Sequence, residues 1–192
     1  EFDIAILDDG FQDYKIIKDL NILCFHSKQL IGNGYIFPSG PLRERLSAVR
    51  RAQIVVINGE KDLIFENKLK KINSKIYIFY SKYKLVNQGD FKNKNILAFA
   101  GIGNPENFFN LLIESGLNIK KTISFPDHYD FNKKEILEII EKAKKQNYTI
   151  LTTEKDFLRI KNFNFPEIYS CNIILEITKK SELIAQIQKI YD

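Results

Sequence analysis

Beyond residue 95 the chain repeats one alternation, short apolar runs separated by amphipathic ones, and this constrains its fold more than any other feature. "ILAFAGIG" is a predicted strand and "PENFFNLLIESG" a helix, with Pro105 in its first turn and Gly116 at its C-terminal end. "KKTISF" is the next strand, "NKKEILEIIEKAKKQ" an amphipathic helix and "YTILTT" a strand. A short helical turn follows, then the strand "CNIILEI" and a last helix, "SELIAQIQKI". Strands alternating with helices predict a parallel sheet covered on both faces.

The first half has the same character with weaker punctuation. Residues 2–7 are mostly apolar, as a strand buried on both faces of a parallel sheet would be, and "LNILCF" and "AQIVVIN" repeat the pattern. Between those two lie a loop rich in glycine and proline, "GNGYIFPSGP", and a short helical stretch, "LRERLSAVRRA". "KIYIFYSKYKLV" reads as extended structure. The polar stretch "NQGDFKNKN", residues 87–95, is the expected boundary. The predicted fold class is therefore α/β in two lobes with largely parallel sheets, residues 1–90 and 91–192.

A chain of 192 residues, 44% hydrophobic and 28% charged, has the composition of a globular protein with a sizeable core. No apolar run approaches the roughly 20 residues that span a bilayer, and the start does not resemble a signal peptide. The chain opens with Glu1, contains no methionine and enters almost directly into a predicted strand, so a piece lacking a natural N-terminal part is expected. Cys24 and Cys171 lie far apart with no CxxC partner and are expected to be buried, reduced thiols. The net charge of +5 suggests affinity for anions, but the lysines are spread throughout. Arginine is more informative: of five, Arg43, Arg45, Arg50 and Arg51 fall within nine residues. No nucleic-acid motif accompanies them, and the aromatics read as core residues, so no nucleic-acid partner is expected.

Several segments could carry chemistry. "DIAILDDGFQ" ends an apolar run in Asp8 and Asp9, with Gly10 turning the chain away. Ligands of parallel sheets collect beyond the carboxyl ends of strands, and a strand ending in aspartate is how P-loop enzymes hold Mg²⁺ against nucleotide phosphates. An Asp-Asp-Gly turn with solvated side chains accounts for the same residues. "PSGPLRER" presents Arg43, Glu44 and Arg45 from a stiffened loop, either as a bidentate phosphate clamp or as an exposed helix start with ion pairs. In "FPDHYDF", His128 stands between Asp127 and Asp130 after a predicted strand, and it could act as a general base or be structural. His26, ending another strand, could equally be a packing residue. "AGIGNPENF" resembles the dinucleotide fingerprint through Gly101 and Gly103, but Glu106 stands where its last glycine belongs. A non-catalytic Rossmann-like module binding a nucleotide or another anion is the alternative reading. "LTTEKDFLRI" supplies a hydroxyl and charge cluster at a predicted strand end, or serves only to cap the following helix through Thr153.

The order of these segments is more specific than any one of them. "DDGFQ", "GNGYIFPSGPLRE", "AGIGNPENFF", "FPDHYDF" and "TTEKD" together resemble the tetraacyldisaccharide 4'-kinase family of lipid A biosynthesis, from residue 3 to about residue 160. The resemblance implies an ATP-dependent P-loop kinase of two α/β lobes. Its acceptor would be the 4'-hydroxyl of an acylated disaccharide lipid, tetraacyldisaccharide 1-phosphate, at the cytoplasmic face of the inner membrane. Asp8 and Asp9 would hold Mg²⁺ and, with Gln12, belong to the ATP site. Arg43 and Glu44 would line the active-site cleft. His128 would support a catalytic aspartate upstream of residue 1. The P-loop and the membrane-inserting helix of the family are also absent from these residues, so the chain alone is expected to transfer no phosphate. Asp13 stands where the family usually has histidine.

Overall fold

The computed structural model describes residues 3–190, which divide into two compact units. The first comprises the residues up to Lys82 together with those from Glu176 onward; the second is Tyr83–Leu175. The division cuts the long strand that precedes residues 87–95 rather than falling in that polar stretch, and the last helix returns to the first unit.

One sheet has β1 (Ile22–His26), β2 (Ile54–Asn58) and β3 (Tyr77–Leu85) parallel in that order, with β8 (Ile173–Ile177) beyond β3; it belongs to the first unit except for Tyr83–Leu85 and Ile173–Leu175, which fall in the second. The run "IVVI" of β2 is apolar on both faces because both are covered. Val55 and Ile57 pack with Phe65 and Leu69 of α1 (Leu63–Ile72), whereas Ile54 packs with Phe79 and with Leu183 of α5 (Lys180–Gln188). Helix α1 has no counterpart among the sequence expectations, although its signals are ordinary. Asp62 caps it by accepting the Phe65 N–H at 2.9 Å, and Phe65, Leu69 and Ile72 lie on one face.

The second unit holds the regular half. The central strand β4 (Asn95–Ala100) lies between β5 (Asn118–Ser124) and β6 (Thr149–Thr153), with β7 (Ile168–Cys171) outside β6, all parallel. Ile96, Ala98 and Ala100 of β4 pack with Phe108, Phe109 and Leu112 of α2 (Pro105–Glu114). Leu97 and Phe99 point to the opposite face, against Ile136, Ile139, Ile140 and Ala143 of α3 (Lys133–Gln146). Each such fully buried Leu, Ile or Phe contributes about 1.5–3 kcal/mol. Asn132 and Glu135 close a reciprocal capping box at the start of α3. Chain connections leave β4 toward β5 but β6 toward β7, so the order reverses between the carboxyl ends of β4 and β6. Open α/β sheets place their ligands in such a crevice.

Four expectations need correction. Residues 4–7 form no strand: nothing pairs with their backbone among the described residues, and Ile6 is 90% exposed. A segment apolar on both faces becomes a central strand only when neighbours supply the ladder on each side. Asp8 and Asp9 therefore sit in a turn rather than at a strand end. The stretch "LRERLSAVRRA" yields only a 3₁₀ segment, Leu46–Arg51. "CNIILEI" divides: Cys171 ends β7 and Ile173 begins β8 in the other sheet, with the Asn87 carboxamide accepting the Asn172 N–H and donating to the Ser170 carbonyl at the break. Finally, Cys24 is exposed on β1, which is an outer strand of its sheet among the described residues, whereas Cys171 is buried and its thiol is pushed up to about 12 by that burial. No helix among the described residues is long and apolar enough to cross a membrane.

Candidate active site

The first unit brings together two motifs that are distant in sequence. Asp9 adopts a left-handed conformation (φ 55°), and the 3₁₀ turn Gly10–Gln12 follows it. The loop carrying Arg43 is knitted internally. Asn33 donates to the Ser39 carbonyl at 2.8 Å and accepts the Tyr35 N–H at 3.1 Å, and an isolated bridge joins Ile36 to Leu42. Gly40 sits so close to the Tyr35 carbonyl and the Asn33 carboxamide that a Cβ would collide with both. This loop delivers Arg43 to Asp9, Nη1 to Oδ2 at 2.5 Å, with both side chains largely exposed. Asp8 is exposed beside them.

Glu44 plays a different part from its neighbour. It accepts from the Tyr14 hydroxyl at 2.8 Å and from Arg51 Nη2 at 2.9 Å, while the Arg51 guanidinium lies 4.6 Å from the Phe11 ring centroid and 5.0 Å from that of Tyr14. Partial burial alone would raise the Glu44 carboxyl, but hydrogen bonds from Tyr14, Arg51 and Gln12 outweigh it and hold the group below its usual range. The same bond to Glu44 is the main cause that raises the Tyr14 phenol. Glu44 is thus an anionic strut tying residues 11–14 to the arginine loop. Arg43, Arg45, Arg50 and Arg51 border, with Glu44, an open hollow of about 430 Å³.

A pH prediction follows from the strut. Because its folded-state pKa is lowered, Glu44 adds stability above the ordinary carboxylate range, and this is lost as pH falls through that range and below it. Tyr14→Phe removes the principal stabilising hydrogen bond, so the acid limb of melting temperature against pH should move to higher pH. An unmoved limb in the variant would remove Glu44 from this role.

The second unit gathers its polar residues at the crevice where strand order reverses. Gly101 follows β4, and Thr153 ends β6 and caps α4 (Glu154–Ile160). Asp156 is fully buried there. Its Oδ2 accepts the Gly101 N–H at 2.9 Å and the Thr153 hydroxyl at 2.8 Å, and its Oδ1 accepts Arg159 Nη1 at 2.9 Å. Arg159 Nη1 also donates to the Gly101 carbonyl at 2.9 Å, and Nη2 lies 3.1 Å from His128 Nδ1. A guanidinium has no acceptor, so Nδ1 must accept, and the neutral ring carries its proton on Nε2. His128 is itself in a left-handed conformation (φ 56°), its N–H bonded to Asp127 Oδ1 at 2.9 Å. Its Nε2 is 3.8 Å from Asp127 Oδ2, beyond hydrogen-bond reach. Asp130 is exposed, and His26 merely accepts the Lys28 N–H at the end of β1.

This crevice leaves little room for the dinucleotide reading. The Gly101 N–H is already bonded to Asp156, and a Cβ on Gly101 would stand 3.2 Å from Phe131 and Tyr129. A Cβ on Gly103 would stand 3.4 Å from an Asp127 carboxylate oxygen, where a pyrophosphate would be repelled. Tyr14 has no place among the sequence expectations, Arg51 stands there only as one of the clustered arginines, and Asp156 and Arg159 only as part of the "LTTEKDFLRI" stretch. Arg159 was detectable as the one arginine outside the Arg43–Arg51 window, three residues beyond an aspartate on a helix.

Comparison with known proteins places these motifs in context. The sequence model of the family described as tetraacyldisaccharide-1-P 4'-kinase matches residues 1–192. The chain belongs to this family. A tetraacyldisaccharide 4'-kinase from Pelagibacter ubique (strain HTCC1062) is 41% identical over 192 residues, covering 98% of this chain and 61% of that protein. The kinase from Parvibaculum lavamentivorans is 37% identical over 158 residues, 82% of this chain and 46% of that one. The chain thus spans about half to three-fifths of the curated relatives it matches. The crystal structure of "apo" form LpxK from Aquifex aeolicus, in complex with ATP, shares the fold with a TM-score of 0.65. At 24% identity, the match covers 95% of this chain and 56% of that one.

Proposed function

We propose that this chain forms part of an ATP-dependent kinase that phosphorylates the 4'-hydroxyl of tetraacyldisaccharide 1-phosphate, yielding a lipid A precursor. One observation carries the site assignment beyond family membership: the 2.5 Å pair between Arg43 and Asp9 joins the "GPLRE" and "DDGFQ" motifs at one exposed corner. Phosphoryl transfer asks a protein mainly for positioning and charge neutralisation, and this corner offers both signs of charge side by side.

Asp8 and Asp9 suit Mg²⁺, a hard ion that takes one or two carboxylates and completes its shell with water and phosphate oxygens. Among the described residues no group of three His, Cys, Asp or Glu could form a larger cage. When bound there, the ion would neutralise phosphate charge. Arg43 presents the planar fork that pairs with phosphate oxygens, and Asp9 holds it until an anion competes. Gln12 borders the nucleotide side, and Glu44 keeps the loop and the 11–14 segment in register. His128, with its proton on Nε2, is a hydrogen-bond donor to the carboxylate that accepts the sugar hydroxyl proton, orienting that base rather than serving as one. In this reading the first unit belongs to the P-loop lobe and the second is the C-terminal Rossmann-like lobe. An acylated acceptor calls for work at a membrane surface, and the family resemblance makes that the cytoplasmic face of the inner membrane.

The test is transfer from γ-labelled ATP to tetraacyldisaccharide 1-phosphate by the intact gene product with Mg²⁺. Label at the 4' position is the expected result. Binding of NAD(P) without any transfer would replace the proposal with the dinucleotide reading.

A further inference from the structure

We propose that Arg159, anchored by Asp156, is the positioning residue of His128: it fixes the ring's place and directs its proton to Nε2. The inference rests on the reading that His128 serves the transfer step. His128 by itself is a poor catalytic element. Its side chain is 69% exposed, it lies in the turn Asp127–His128, and an exposed imidazole samples several rotamers and both tautomers. Arg159 removes that freedom. Its own side chain is only 22% exposed, and its Nη1 is pinned twice, by the Asp156 carboxylate and by the Gly101 carbonyl, each at 2.9 Å. The guanidinium plane is thereby set, and Nη2 meets Nδ1 of the ring at 3.1 Å. Asp156 is fully buried and takes further hydrogen bonds from the Gly101 N–H and the Thr153 hydroxyl, so the base of this chain of contacts is rigid. The whole tether stands at the reversal point between β4 and β6, where rigid strand ends converge.

Arg159→Lys separates positioning from folding. Lysine keeps a cation beside Asp156, but its single nitrogen cannot meet Asp156, the Gly101 carbonyl and the His128 ring together. In the intact gene product the variant should melt near the wild type and lose turnover roughly tenfold to hundredfold, with KM unchanged. Nitrogen-15 spectra of the imidazole should change from one Nε2–H tautomer to a mixture. His128→Ala and the double variant His128→Ala/Arg159→Lys should then share one kcat, because a tether without its ring has nothing left to place. An unchanged tautomer in Arg159→Lys, or losses that add in the double variant, would overturn the proposal. Should His128→Ala keep wild-type kcat, the role of His128 in the reaction fails instead, and the spectra still decide whether Arg159 holds the ring.

Discussion

Asp9→Asn is expected to lower turnover of the intact gene product by roughly 10²–10³-fold, the scale of removing one pre-organised charge-stabilising group, while leaving its melting temperature almost unmoved. Both halves come from the same geometry. Asp9 and Arg43 are about two-thirds exposed, and an ion pair in that setting contributes on the order of 0–1 kcal/mol to stability. Asparagine also tolerates the left-handed backbone at this position (φ 55°), so the turn is kept while the charge is lost. Alanine would confound the measurement, because a Cβ without a local hydrogen-bonding group is strained there. Steady-state rates at saturating ATP and a thermal melt of the same sample check the pair of expectations. Wild-type turnover would take Asp9 out of the metal and phosphate site.

Asp156→Ala should do the reverse, destabilising the second unit by about 3–5 kcal/mol, as breaking a buried ion pair from one side does. Three separate groups lose their acceptor at once: the Gly101 N–H, the Thr153 hydroxyl and the Arg159 guanidinium. Arg159 is then left mostly buried beside a void, without its anion. The loss corresponds to a melting temperature lower by roughly 10 °C or more. Urea unfolding followed by the near-ultraviolet signal of the second unit's tyrosines would measure it. A change within about 0.5 kcal/mol, typical of surface substitutions, would mean that the crevice is held by strand ends and apolar packing alone.

The two aspartates illustrate why sequence reading succeeded unevenly. Asp8 and Asp9 stood out because paired carboxylates followed by glycine are conspicuous wherever they fall. Asp156 lies in the hydroxyl and charge cluster of "LTTEKDFLRI", yet nothing local indicates that Gly101 and Arg159 will converge on it. The regular half from residue 95 onward was legible because each apolar position reports the face it occupies. Leu97 and Phe99 fall on one side of β4, Ile96 and Ala98 on the other. Residues 4–7 carry the same signal but form no strand, since periodicity states what a segment could bury and not whether a partner lies alongside. Helix α1 was missed although its cap and its apolar spacing were both present.

By itself, the sequence determined the α/β class, most strand and helix positions in the second half, and the five ordered motifs whose family membership the comparison then bore out. These are local or near-local properties, written in periods of two and 3.6 residues and in short runs of residue types. Only the tertiary structure decided which polar side chains meet: Arg43 with Asp9, Glu44 with Tyr14 and Arg51, and His128 with Arg159. Such pairs lie up to 34 residues apart. They depend on how loops close and where strand order reverses, and the energy that selects those closures comes from apolar burial elsewhere in each unit.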